Sequence, residues 1–314
     1  MKSNKRIIVA AFVAVFALGV AGMVMLSSVA RAAQATVDLQ TAAPFAILAG
    51  TPNITDAGNT SVINGNVGLS PATGAGIGLL CSQVVGTIYS VDAAGPLPCR
   101  ITDGPLMVTA KNHLTAAFTD AAGRTPVSTV PTELGGTTKT PGVYDSASTT
   151  FGITSGAGPL VLDGQGDSSS VFIFEMNAAG TGLTVGPGSV VSLVNGAQAC
   201  NVFWRLDTAT INSTAVFKGS ILALNSITVA NGANIEGRLL ARNGNVTLIN
   251  DTITVPTCTT PSGGSGGAGT VVPRLPNTGM QSQNQIGMIL SGAALATMAV
   301  VLLIVYVVRR KRIS

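Results

Sequence analysis

The sequence predicts a mostly β protein, a β-solenoid with three short strands per turn and one long α-helix laid along it. Three observations point there. The segment Phe217-Lys218-Gly219-Ser220-Ile221-Leu222-Ala223-Leu224-Asn225 returns, in step from Phe217 to Ile235, as Ile235-Glu236-Gly237-Arg238-Leu239-Leu240-Ala241-Arg242-Asn243. Recurrence of short β-branched runs between Gly and Asn is the mark of a stacked supersecondary unit, here about six residues per strand. Only 10% of the residues are charged and 38 are glycine, which suits strands joined by tight turns. Lastly, one segment, Asp103 to Ala122, carries apolar residues at helical spacing.

Taken from the N-terminus, Lys2, Lys5 and Arg6 precede a charge-free stretch from Ile7 to Leu26, the layout of an export signal. Ala30-Arg31-Ala32 supplies small residues for cleavage after Ala32, with Ala33-Gln34-Ala35 as a second candidate. Residues 1–32 are therefore read as a signal peptide and 33–258 as the folded domain. Gly- and Pro-rich residues 71–102 are expected to cap one open end of the solenoid. In the helix that follows, Asp103 is the N-cap, Pro105 lies in the first turn and Gly123 is the stop. Its stripe of Leu106, Ala110, Leu114, Ala117, Phe118 and Ala121 is expected to cover a strand face that SILAL, RLLA, VFWRL and VFIF make apolar on both sides. The lone histidine, His113, sits beside that stripe and reads as a helix residue rather than a catalytic one.

Four cysteines, Cys81, Cys99, Cys200 and Cys258, lie in the exported part, where pairing is the default. Three pairings are possible; proximity favours Cys81–Cys99 and Cys200–Cys258. The spacings contain no CxxC, so no metal site is expected. From Thr259 to Arg274 the chain is a Gly/Ser/Pro linker. Extended, residues 259–278 reach about 70 Å, which argues against a long-range adhesin.

Leu275-Pro276-Asn277-Thr278-Gly279 then precedes a polar spacer, an apolar run over 286–308 and the basic tail Arg309-Arg310-Lys311-Arg312. Such a run makes roughly 34 Å of helix, enough to span a bilayer, and the tail holds its end in the cytoplasm. Together these parts of residues 275–314 resemble the cell-wall sorting signal of sortase substrates. The resemblance implies that a sortase thiol attacks the Thr278–Gly279 bond and passes Thr278 to a peptidoglycan amine, so that membrane contact is transient. Of 17 basic residues, four lie in 1–32 and four in the tail, leaving nine against 13 acids. The mature product is thus near −4 despite the formal +4, and offers no basic patch for nucleic acid.

Several ordered blocks extend this picture: Ala43-Pro44-Phe45-Ala46-Ile47-Leu48-Ala49-Gly50, Val62-Ile63-Asn64-Gly65-Asn66-Val67-Gly68-Leu69-Ser70-Pro71, Thr140-Pro141-Gly142-Val143-Tyr144 and Asn195-Gly196-Ala197-Gln198-Ala199-Cys200-Asn201-Val202-Phe203-Trp204. Through them residues 38–256 resemble the microbial ice-binding proteins of the DUF3494 type. The resemblance implies a right-handed, discontinuous three-sided β-solenoid with one long α-helix packed alongside. It also implies a cofactor-free, monomeric protein whose partner is the surface of an ice crystal. In that family a flat face of small polar residues orders water, and the matching steps here are Thr60, Ser189, Thr214, Asn231 with Asn234, and Asn250-Asp251-Thr252.

Independently of that likeness, strand alternation places a second ladder at Thr55, Thr154, Thr184, Thr210, Thr228 and Thr247, each beside inward apolar residues. Stacked coils would space these hydroxyls by about 4.8 Å. Whether the two ladders share a face is left open by the sequence. An enzyme is not expected: the acids are scattered, no GxSxG elbow occurs, and Gly74-Ala75-Gly76-Ile77-Gly78 lacks a strand–helix context for phosphate. A wall-anchored adhesin or structural surface module with the same fold is the alternative.

Overall fold

The computed structural model describes residues 34–176 and 182–259. The expected signal peptide, sorting signal and membrane span lie outside these residues.

All strand pairing between neighbouring coils is parallel, and the strands form three sides. The side beneath the helix runs, in spatial order, through Arg100–Thr102, Ile88–Ser90, Asn66–Leu69, Phe45–Ala49, Asn234–Ala241, Val216–Ala223, Val202–Leu206, Phe172–Glu175, Gly142–Ser146 and Val127–Val130. A second side stacks Thr150–Ile153, Gly182–Val185, Thr208–Ile211, Ile227–Val229, Val246–Leu248, Ile54–Asp56 and Ile77–Gly78. The third holds Thr138–Lys139, Leu160–Asp163 and Val191–Val194, then the first halves of Val216–Ala223 and Asn234–Ala241, and lastly Thr252–Thr254, Val62–Asn64 and Val84–Val85. The two eight-residue strands serve two sides because they bend at Gly219 and Gly237. Gly219 has φ +110°, and a Cβ on Gly237 would stand 1.9 Å from the Gly219 carbonyl oxygen, so neither position admits a side chain.

The spatial order shows that the solenoid is discontinuous. The chain enters in the middle at Phe45–Ala49 and winds outward to Arg100–Thr102, crosses back as helix α1 (Gly104–Ala122), and restarts at the far end with Val127–Val130. The coils then return until Leu239 and Leu240 pair with Ile47 and Leu48. Helix length fits this return journey. Nineteen residues rise about 28 Å, and α1 packs from Ile88–Ser90 to Phe172–Glu175, six strand spacings or about 29 Å apart.

Asp103 caps α1 by accepting a hydrogen bond from the Leu106 N–H at 2.9 Å. The buried stripe is Met107, Ala110, Leu114, Ala117, Phe118 and Ala121. Met107 takes the place expected of Leu106, which is only half-buried, because the N-cap sets the first turn and the stripe then continues in steps of three and four. The stripe packs on Phe45, Leu48, Ile173, Phe203, Leu222 and Leu240, the outward residues of the strands below. Inward residues fill the coils, with Trp204 and Phe174 stacked at 4.0 Å between centroids and Phe151 and Phe217 against the indole. The strands beneath α1 are apolar on both faces because each faces a separate core. His113 Nδ1 lies 2.6 Å from the Thr41 hydroxyl and fastens the entering chain to α1.

Residues 71–102 continue the stack rather than only closing it: Val67 pairs with Ile88, and Ile88 with Arg100. The Cys81–Cys99 disulfide lies in this end region, and Cys200–Cys258 ties the chain after the last strand to the start of Val202–Leu206.

Candidate functional site

The second side is free of α1, and its outward residues stand in register. Gly152 pairs with Thr184, Thr184 with Thr210, Thr210 with Thr228, Thr228 with Thr247, Thr247 with Thr55, and Thr55 with Gly78. Five threonines thus form one row bounded by glycine at each end. Each sits between two inward residues, as Leu183 and Val185 flank Thr184 and Ile227 and Val229 flank Thr228; alternation alone turns the hydroxyls outward. Neighbouring strands are about 4.8 Å apart, beyond hydrogen-bond reach, so the hydroxyls of the row must bond to solvent or to other side chains. A second row beside it contains Thr150, Gly182 and Thr208, and continues through Ser226 and Asn245.

Thr154 is not in the row. Gly152 is the residue in register with Thr184, and the Thr154 hydroxyl is bonded to the Glu133 carboxylate at the strand's end. Glu133 also accepts the Thr154 and Gly135 N–H groups; burial pushes its carboxyl up, but these bonds outweigh it and hold the group below the usual carboxylate range.

The family-derived positions lie elsewhere. Thr60, Thr214, Asn231 and Asn250 are exposed on the corner where this side turns into the third. There Gly188, Thr214, Gly232 and Asn250 adopt positive φ, and the corner N–H of each coil donates to the next, as from Thr214 to Asn231 O and from Gly232 to Ile249 O. Asn250 Nδ2 donates to Asn231 Oδ1 at 3.1 Å. Ser189 is a correction: it is 6% exposed and its hydroxyl donates inward to Ile153 O at 2.9 Å, so it offers nothing to the surface. Asn234 and Thr252 lie beyond the corner on the third side, in register with Val216 and Val62. The two ladders are therefore separated by an edge.

Asp251, in the middle of one step, is also withdrawn from the surface at 1% exposure. Its carboxylate accepts N–H bonds from Ile249 and Ala233 at 2.8 and 2.9 Å. Burial pushes its pKa up to about 6 against those bonds, and the neighbouring Asp56 charge adds to the rise. Asp56 itself is held below the ordinary range: burial raises it, but Ser61, Gln83 and Asn250 donate to it and prevail. Ser61 closes the group by accepting the Asp251 N–H at 2.9 Å. These buried residues join the last coil to the first, chain segments that only folding brings together.

Among the described residues no group of three or more His, Cys, Asp and Glu side chains is gathered to hold a metal ion. The row is an array of small uncharged hydroxyls on a parallel sheet.

This is the architecture of a known class. Residues 47–254 match the family described as Ice-binding-like, and residues 270–314 match the LPXTG cell wall anchor motif. An ice-binding protein of Flavobacterium frigoris (strain PS1) is 42% identical over 224 residues, covering 70% of this chain and 76% of that protein. One from a Colwellia species is 37% identical over 240 residues, covering 75% and 90%. Among solved structures, an ice-binding protein from an Antarctic biological consortium superposes with a TM-score of 0.61 at 34% identity, covering 72% of this chain and 94% of that one. The DUF3494 domain of Shewanella frigidimarina ice-binding protein 1 gives 0.63 at 28% identity, covering 72% and 99%. The chain belongs to the ice-binding-like family, and its anchor motif marks it as a cell-wall-anchored surface protein.

Proposed function

We propose that this protein holds ice at the cell wall, binding the crystal through the row of Thr184, Thr210, Thr228, Thr247 and Thr55. The observation that carries the reading is the register: one residue type, uncharged and small, repeated across five adjacent strands of a sheet that α1 leaves open. An array held on a sheet of paired strands can match an ordered water layer with only its short side chains left to order, the general advantage of a preorganised surface. The corner residues Thr214, Asn231 and Asn250 flank the row and extend the polar surface at its edge. A right-handed winding of the coils and a monomeric state belong to the same reading.

At the ends of the chain, residues 1–32 direct export and are removed. Residues 286–308 halt translocation in the membrane, and a sortase cleaves between Thr278 and Gly279 to join Thr278 to peptidoglycan. The linker 259–274 leaves the domain on a short tether, so the ice it meets lies at the wall. The test is thermal hysteresis and ice recrystallisation inhibition of the protein released from walls by muramidase. Activity at micromolar protein is expected; a complete lack of it would transfer the fold to a surface role without ice.

A further inference from the structure

The row of threonines is not supported evenly. Ser226 and Asn245 occupy adjacent coils in the row beside it, on the flank facing away from the Thr214 corner. The Ser226 hydroxyl donates to Asn245 Oδ1 at 2.6 Å, and Asn245 Nδ2 donates to Thr247 Oγ1 at 3.0 Å. The three groups form a directed chain in which each donates to the next. Gly244 leaves the room that the Ser226 hydroxyl occupies, since a Cβ there would stand 2.4 Å from its oxygen.

We propose that Asn245 is a positioning residue of the ice-facing row: held by Ser226, it fixes the rotamer and polarity of the Thr247 hydroxyl. The inference rests on the reading that this row binds ice. A threonine hydroxyl is both donor and acceptor and turns to suit its surroundings. Once Nδ2 has taken one lone pair of Thr247 Oγ1, the proton of that hydroxyl is directed outward to water. Thr247 stands between Thr228 and Thr55, so one fixed donor is set inside the row. The water bridging it to its neighbours is then oriented before the crystal arrives, and binding need not order that rotor. No other threonine of the row has a comparable side-chain partner among the hydrogen bonds of the described residues.

The test uses protein released from walls, with thermal hysteresis and melting temperature measured on the same samples. Asn245→Ala is expected to lower hysteresis about twofold at equal concentration, the scale of leaving one polar rotor to be ordered on binding. Asn245→Asp is expected to lower it similarly, because a carboxylate accepts from Ser226 but cannot donate to Thr247, and so turns the hydroxyl proton inward. Ser226→Ala, which leaves Asn245 in place but unheld, is expected to give a smaller loss and keeps the idea testable if Asn245→Ala folds poorly. A merely structural role is separated by a double-mutant cycle: in a Thr247→Val background, Asn245→Ala should cause no further loss. Equal losses in both backgrounds, or unchanged hysteresis in Asn245→Ala, would overturn the positioning role while leaving the ice-binding reading intact. A wild-type protein without hysteresis would overturn the reading beneath it.

Discussion

Two sides of this solenoid are made by the same coils and are free of the helix, yet they differ in what they present. On the second side one outward row reads Thr184, Thr210, Thr228, Thr247, Thr55. On the third, across the Thr214 corner, the corresponding row reads Lys218, Glu236, Thr254, Asn64, Val85, with Lys218 and Glu236 paired at 2.7 Å. Backbone geometry cannot account for the difference, because both rows repeat at the same strand spacing. Only the side chains differ: one row is uniform, small and without charge, the other mixes a long ion pair with Thr254, Asn64 and the apolar Val85. Uniformity across coils is what separates a surface that can match a lattice from one that merely faces solvent.

Titration should sharpen that contrast most visibly. The row of threonines has no titratable group, so its ice activity is expected to be flat with pH. Stability is not, because Asp251 is buried under the shared corner. An acid whose folded pKa is about 6, above its ordinary 3.8, makes the folded state the stronger proton binder; its contribution therefore favours the fold below about 3.8 and is lost as pH rises through 6. Asp56 has the opposite sign, being held low, and its contribution is lost only as pH falls below the ordinary carboxylate range. Between about pH 4 and 6 the melting temperature of Asp251→Asn should thus fall less with rising pH than that of the wild type. Parallel profiles for the two would contradict the buried-acid account of the corner.

The row can also be lengthened. Gly152 occupies the next position in register with Thr184, has no positive φ, and a Cβ there would meet Glu133 Oε2 at 3.6 Å and Thr132 O at 3.8 Å, ordinary contacts. Gly152→Thr should add a sixth hydroxyl and raise hysteresis modestly, with stability unchanged or slightly improved because a β-branched residue replaces glycine in a strand. A third-side substitution of the same kind, Val216→Thr, should add nothing. Equal gains from both would show that hydroxyl number, not register, sets activity.

How much of this is readable in the sequence follows from coil length. Thr210, Thr228 and Thr247 are legible because the last coils are nearly equal in length: the step from Thr210 to Thr228 equals that from Phe217 to Ile235, and the step on to Thr247 is one residue longer, so register nearly follows from counting. The step from Thr184 to Thr210 is longer, because extended corners there break the count, and alternation alone identifies that pair. Alternation fails at the strand Thr150–Ile153, which has threonine just beyond one end and at the other. The better signal is bracketing: Phe151 and Ile153 enclose Gly152 as Leu183 and Val185 enclose Thr184, whereas Thr154 follows only one inward residue. Ser189, Asn234, Thr252 and Asp251 rest on likeness of short steps, which marks a corner but not which side of it a side chain takes. Ser226 and Asn245 carry no motif, and only their hydrogen bonds single them out. Helix α1 and the Cys81–Cys99 pair are open to sequence reasoning because caps, apolar stripes and short loops are local features; Cys200–Cys258, 58 residues apart, follows once the other two cysteines are paired.

The most direct test of the account places one ring on each side of the corner. Thr228→Tyr and Lys218→Tyr both put a bulky group at an outward strand position, and both should fold, since strands tolerate aromatics and loss of the half-buried Lys218–Glu236 pair costs about 1 kcal/mol. Thermal hysteresis of the two, measured at equal concentration and with matched melting temperatures, should vanish for Thr228→Tyr and remain at the wild-type level for Lys218→Tyr. Retention in Thr228→Tyr together with loss in Lys218→Tyr would show that the ice lies against the other side.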